Sequence, residues 1–121
     1  MKKILIVDDD VDMVSYYRVR LSSDNYVVYY AKNPVEAHRV LGRNKIDLII
    51  CDYILNEETG LDFLRGIHEY YPEIPCIVLS NFKLDLDILE ALNSKTIDMY
   101  LQKPLNISEM YNLIDRYVNL Q

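Results

Sequence analysis

The chain has 121 residues, of which 50% are apolar and 26% charged, with only 3 glycines and 4 prolines. That is the profile of one ordinary globular domain, able to bury about two-thirds of its unfolded surface. A formal charge of −6 argues against nucleic-acid binding by this domain, because a phosphate backbone calls for basic patches.

The basic start Met1-Lys2-Lys3 leads into a short apolar run that ends at Asp8. The run cannot serve as a secretory core or a membrane span, so a cytoplasmic location without membrane contact is expected. From Lys3 to Val7 it has the length of a strand buried on both faces. Asp10, or the residue before it, can then cap a helix to about Ser22 with Val14, Tyr17 and Leu21 on one face. Val27 to Tyr30 predicts a second strand. Asn33-Pro34-Val35-Glu36 is a helix start, with Asn as cap, Pro in the first position and Glu three residues after the cap. Ile46 to Cys51 predicts a third strand. Thr59 or Gly60 opens a helix carrying Leu61, Leu64 and Ile67, stopped before Pro72. Cys76 to Leu79 predicts a fourth strand, Leu84 to Asn93 a fourth helix, and Ile97 to Leu101 a fifth strand. Asn106 to Leu120 closes the chain as a helix. Asn106 and Glu109 have capping-box spacing there, and Ile107, Met110, Ile114 and Tyr117 form its core stripe.

Strand and helix therefore alternate five times, which predicts an α/β domain with a parallel sheet and helices on both faces. Cys51 and Cys76 fall inside strand runs, without metal-ligand spacing, and read as small core hydrophobes in a reduced compartment. Ligands in such folds bind beyond the carboxyl ends of the strands. The first strand ends in Asp8-Asp9-Asp10, the third in Asp52, the fourth in Ser80, and the fifth in Lys103 followed by Pro104.

Ionised carboxylates brought within a few ångströms repel by roughly 1–4 kcal/mol per pair at a surface-like dielectric. Either one takes up a proton or a cation moves in. Oxygen-only ligands with room for water and a phosphate suit magnesium. A lysine and a hydroxyl beside them would neutralise and anchor a transferred phosphoryl group, which needs mainly positioning and charge stabilisation. Each feature alone has a plainer reading: an Asp run caps a helix, and a Lys-Pro pair makes a loop. Their joint placement at four strand ends is the informative observation.

With those residues in view, the sequence resembles the response-regulator receiver family. The resemblance rests on Ile4-Leu5-Ile6-Val7-Asp8-Asp9-Asp10, Asp47-Leu48-Ile49-Ile50-Cys51-Asp52, Gly60-Leu61-Asp62-Phe63-Leu64 and Tyr100-Leu101-Gln102-Lys103-Pro104, and on the spacing from Asp52 to Gly60. It implies a single receiver domain over residues 1–121, flavodoxin-like, with strand order 2-1-3-4-5. It implies that Asp8, Asp9, Asp52 and the backbone carbonyl of Ile54 hold Mg2+. Asp52 would be the phosphoacceptor toward a sensor histidine kinase or a histidine phosphotransfer protein, in a two-component system or phosphorelay. Lys103 would pair with the phosphoryl oxygens, and its bond to Pro104 would be cis. Ser80 and Tyr100 would form the switch, the hydroxyl turning to the phosphoryl and the aromatic moving inward.

The sequence departs from that pattern at Asn56, where the family usually has proline, and at Asn81, where a small residue leaves the pocket open. Ile54 and Phe82 occupy positions that tune autodephosphorylation in the family; both are apolar, which predicts a long-lived phosphoryl group. Leu86 and Leu89, with Leu113 and Leu120, lie off the expected core stripes. They predict either a face of helix 4, strand 5 and helix 5 that contacts a partner, an output domain or a second copy in a homodimer, or ordinary packing on the sheet. The 11 tyrosines are scattered and read as half-buried packing residues, and His68 as a surface residue.

Three functions compete. A phosphorylation-driven signalling switch would catalyse only its own phosphorylation and slow autodephosphorylation. A constitutive interaction module would normally have lost one of Asp8, Asp9, Asp52 or Lys103. A hydrolase would need a general acid or base beside the acceptor, and Ile54 and Phe82 offer none.

Overall fold

Residues 2–21, 26–55, 58–81, 84–103 and 105–119 are described by a computed structural model. Five apolar runs pair in parallel: β1 (Lys2–Val7), β2 (Tyr26–Ala31), β3 (Leu48–Asp52), β4 (Cys76–Ser80) and β5 (Met99–Gln102), in the order β2-β1-β3-β4-β5. This is the α/β architecture and strand order expected. The register brings Val7 beside Ala31 and Cys51, Asp52 beside Leu79, and Ser80 beside Gln102, so the carboxyl ends of the strands lie level.

Side chains alternate across the sheet because the pleat has a period of two. Leu5, Val7, Ile49, Cys51, Cys76 and Val78 face one core. That core is closed by α2 (Pro34–Arg43), α3 (Gly60–Tyr70) and α4 (Leu86–Asn93). Ile4, Ile6, Leu48, Ile50, Ile77 and Leu79 face the other, closed by α1 (Val11–Leu21) and α5 (Ile107–Ile114). Burial on both faces is why the strands read as continuous apolar runs rather than alternating ones.

The caps fall where the side chains demand them. Asp10 Oδ1 accepts from the N–H groups of Asp12 and Met13, Asn33 from Glu36, Thr59 from Asp62, Asp85 from Ile88, and Asn106 from Glu109. Each cap contributes about 1 kcal/mol.

Several element bounds shift for local reasons. β3 starts at Leu48 because Asp47 is engaged with Lys3, donating from its N–H and accepting on its carboxylate. α4 starts at Leu86 because Asp85 is its cap, leaving Leu84 outside. α5 passes at Asp115 into a π-helical turn through Asn119. A small antiparallel ribbon, Ile54–Leu55 with Glu58–Thr59, follows β3 and was not foreseen.

One expectation is corrected. Leu113 is buried, at 6% exposure, and belongs to the core with Met110, Ile114 and Val118. The buried stripe of α5 is wider than its Ile107–Met110–Ile114–Tyr117 line, so Leu113 is not surplus surface. Leu120 lies outside the described residues. Cys51 and Cys76 are free and buried, as expected. Among the described residues, no helix is long and apolar enough to cross a membrane.

Candidate functional site

Asp8 is the first residue beyond β1, and its N–H extends the sheet by donating to the Ala31 carbonyl. It is 4% exposed, in a fold where carboxylates are rarely buried unless paired. Its Oδ1 accepts from the Asp10 N–H at 2.9 Å, tying the start of α1 to the site. Its Oδ2 lies 3.1 Å from the ammonium of Lys103. That ammonium also stands 3.2 Å from Asp52 Oδ1, at the end of β3. Lys103 is aimed by its own backbone, whose N–H donates to the Ser80 carbonyl at 2.7 Å.

Asp8, Asp9 and Asp52 each present a carboxylate oxygen within 4.8 Å of the others. Burial raises Asp52 from its ordinary value, and the like charges of Asp8 and Asp9 add to that, while Lys103 opposes it. Burial alone would lower the Lys103 ammonium, but Asp8 and Asp52 more than reverse this and the net direction is up. For Asp52 burial leads and the neighbouring carboxylates add to it, whereas for Lys103 the carboxylates of Asp8 and Asp52 outweigh burial. An all-oxygen cluster with surplus negative charge fits a hard divalent cation such as magnesium.

Ser80 closes β4 with 1% exposure, level with the site. Tyr100 is half-buried in β5 and packs on the core that α4 covers. Ile54 begins the small ribbon and is 44% exposed; Asn81 is exposed at the rim. Asn56, Phe82 and Pro104 lie outside the described residues. The structure thus brings Asp8, Asp9, Asp52 and Lys103 together and sets Ser80 at the same end of the sheet.

Two features escaped the sequence reading. Tyr53, next to Asp52, donates from its hydroxyl to Asp85 Oδ2 at 2.9 Å. Among the described residues, the Tyr17 hydroxyl is buried in the core without a hydrogen-bond partner. Tyrosines scattered through an apolar-rich sequence carry no signal of either. A capping Asp85 was legible in principle, from its place before an apolar helical run.

The model of the response regulator receiver domain matches residues 4–115. The chain belongs to that family, whose members act as phosphorylation switches in two-component signalling. It is 32% identical to the transcriptional regulatory protein GlrR of Escherichia coli over 93% of this chain and 25% of that protein. It is 34% identical to the transcriptional regulatory protein KdpE of Staphylococcus aureus, over 89% of this chain and 46% of that protein. A two-component response regulator from Clostridium difficile superposes with a TM-score of 0.90 at 31% identity, covering 99% of this chain and 98% of that one. The chain therefore spans a quarter to a half of the length of these curated relatives.

Proposed function

We propose that the chain, as a single receiver domain over residues 1–121, takes a phosphoryl group on Asp52 and changes a partner-binding face in response. The observation that carries this reading is the Lys103 ammonium held between Asp8 and Asp52 beside Asp9, all at strand ends.

In the proposed reaction an Asp52 carboxylate oxygen attacks the phosphorus of a phosphohistidine on a sensor kinase or phosphotransfer protein. The P–N bond breaks and its electron pair stays on the imidazole nitrogen, leaving an acyl phosphate. Asp8, Asp9 and Asp52, with the Ile54 carbonyl, would hold Mg2+, which when bound supplies charge neutralisation at the phosphoryl oxygens. Lys103 adds a second positive charge from a fixed position, and its pairing with Asp8 keeps it there when Asp52 is consumed. The cis bond to Pro104 is proposed to fix the turn that aims Lys103.

The new group adds about −1.5 to −2 charge and three acceptor oxygens. Ser80 turns its hydroxyl toward them, and Tyr100 moves inward behind it. The face this alters comprises α4, β5 and α5, where Leu86 is 82% and Leu89 41% exposed. An output domain, a separate partner or a second copy would read that face in the cytoplasm.

Incubation with a small phosphodonor and magnesium, followed by intact mass and oligomer state, tests the reading. A gain of one phosphoryl on wild type and none on Asp52→Ala is expected. No gain on wild type would leave the chain as a constitutive interaction module.

A further inference from the structure

Tyr53 crosses an apolar core yet ends in a hydrogen bond. Its hydroxyl donates to Asp85 Oδ2 at 2.9 Å, and Asp85 Oδ1 accepts from the Ile88 N–H at 2.9 Å. One carboxylate thus joins the residue after Asp52 to the first turn of α4. The backbone of Tyr53 is pinned on both sides: its N–H donates to the Leu79 carbonyl, and its carbonyl accepts from the Gly60 N–H. The side chain therefore cannot shift at its root without the strand end moving, nor at its tip without displacing Asp85.

The bond is built to persist. Tyr53 is 9% exposed. A neutral donor on an ionised acceptor makes a charge-assisted bond, stronger than a neutral pair. α4 is short and has few other anchors, its buried residues being Ile88 and Ala91. A helix held by so few buried contacts is readily re-aimed.

We propose that the Tyr53–Asp85 bond is the link that carries a change at Asp52 to the first turn of α4, making Tyr53 a positioning residue for the output face. This rests on Asp52 being the phosphoacceptor and names a route specific to this chain's residues. Tyr53→Phe removes one oxygen and keeps the ring in the core. Asp85→Ser keeps an N-cap but is too short to meet Tyr53. Asp85→Asn keeps both the cap and a hydrogen-bonding group facing the phenol.

The experiment follows the backbone amides of Leu86–Leu89 by NMR, before and after loading with a small phosphodonor and magnesium, with intact mass read in parallel. In the unloaded protein, Tyr53→Phe and Asp85→Ser should exchange the Ile88 and Leu89 amides about fivefold faster, the effect of one lost hydrogen bond on local opening. On loading, both should gain the phosphoryl as wild type does yet lose most of the α4 shift, while Asp85→Asn keeps it. A wild-type α4 response in loaded Tyr53→Phe overturns the proposal. So does loss of phosphorylation in that variant, because the bond would then serve the site and not the helix. If wild type itself gains no phosphoryl, the acceptor reading has failed. The exchange arm then decides alone, and unchanged rates at Ile88 and Leu89 reject the link.

Discussion

Gly60 stands so close to Asp52 that a Cβ on it would overlap the Asp52 carbonyl oxygen and come within 3.1 Å of the Cys51 thiol. Its backbone is not in the left-handed region, so proximity and not conformational freedom requires the glycine. The start of α3 and the end of β3 are in backbone contact there, sealed by the Gly60 N–H on the Tyr53 carbonyl. Gly60→Ala should cost about 1–3 kcal/mol, because the obstacle is backbone and cannot rotate away. A lower urea midpoint and slower phosphorylation of Asp52 are expected together. An unchanged midpoint would mean that the helix start slides freely past β3.

The raised value of Asp52 makes a second prediction about stability. A carboxylate whose folded value lies above its unfolded one contributes stability at low pH and loses it as pH rises through the folded value. Asp52→Asn should therefore be more stable than wild type at neutral pH in a chelator. The gap should narrow as pH falls through the carboxylate range. Magnesium should raise the wild-type midpoint more than that of the variant, because binding to the folded form alone stabilises it. Urea titrations with and without magnesium measure both.

Leu113 and Leu86 should separate core from surface. Leu113 is 6% exposed, and a charge there has no partner in an apolar core. Leu113→Asp should lose about 3 kcal/mol or more and partly unfold. Leu86, 82% exposed, should tolerate Asp within about 0.5 kcal/mol while altering partner binding or oligomer state. Circular dichroism melts with sedimentation of the phosphorylated form make the comparison.

The phosphoryl group should be long-lived. Ile54, two residues after Asp52 and exposed, has no polar atom in its side chain to orient an attacking water. Ile54→Asn should shorten the half-life. A wild-type half-life of seconds in magnesium, followed by intact mass, would refute this.

Cys76 should make the fold sensitive to alkali before the tyrosines do. Burial first, and Asp98 second, push its thiol from 9.0 up to about 12. Stability is therefore full below the unfolded value and falls as pH rises from about 9. Tyr30 and Tyr53, also raised to about 12, add to the slope only above their ordinary value of 10.0. Cys76→Ala should be less stable at neutral pH but flatter between pH 9 and 10 by urea midpoint.

The strands and helices were legible because burial on two faces writes continuous apolar runs, and caps write Asn33, Thr59 and Asn106 before their helices. The site residues were legible for a topological reason: a parallel sheet places Asp8, Asp52, Ser80 and Lys103 at one end whatever the loops do. The misplacement of Leu113 shows the limit, since a helical stripe has a centre in sequence but its width depends on how deeply α5 sits on the sheet. The short ribbon at Ile54 was invisible because two-residue pairings leave no periodicity.

Asp52 and its acidic neighbours are thus determined by sequence alone, through residue type and position at strand ends. Tertiary structure decided that Lys103 stands between Asp8 and Asp52, that Gly60 abuts the Asp52 carbonyl, and that Tyr53 reaches Asp85. Those relationships span up to 95 residues of chain and depend on side-chain reach across packed elements. Local pattern carries no record of such distances.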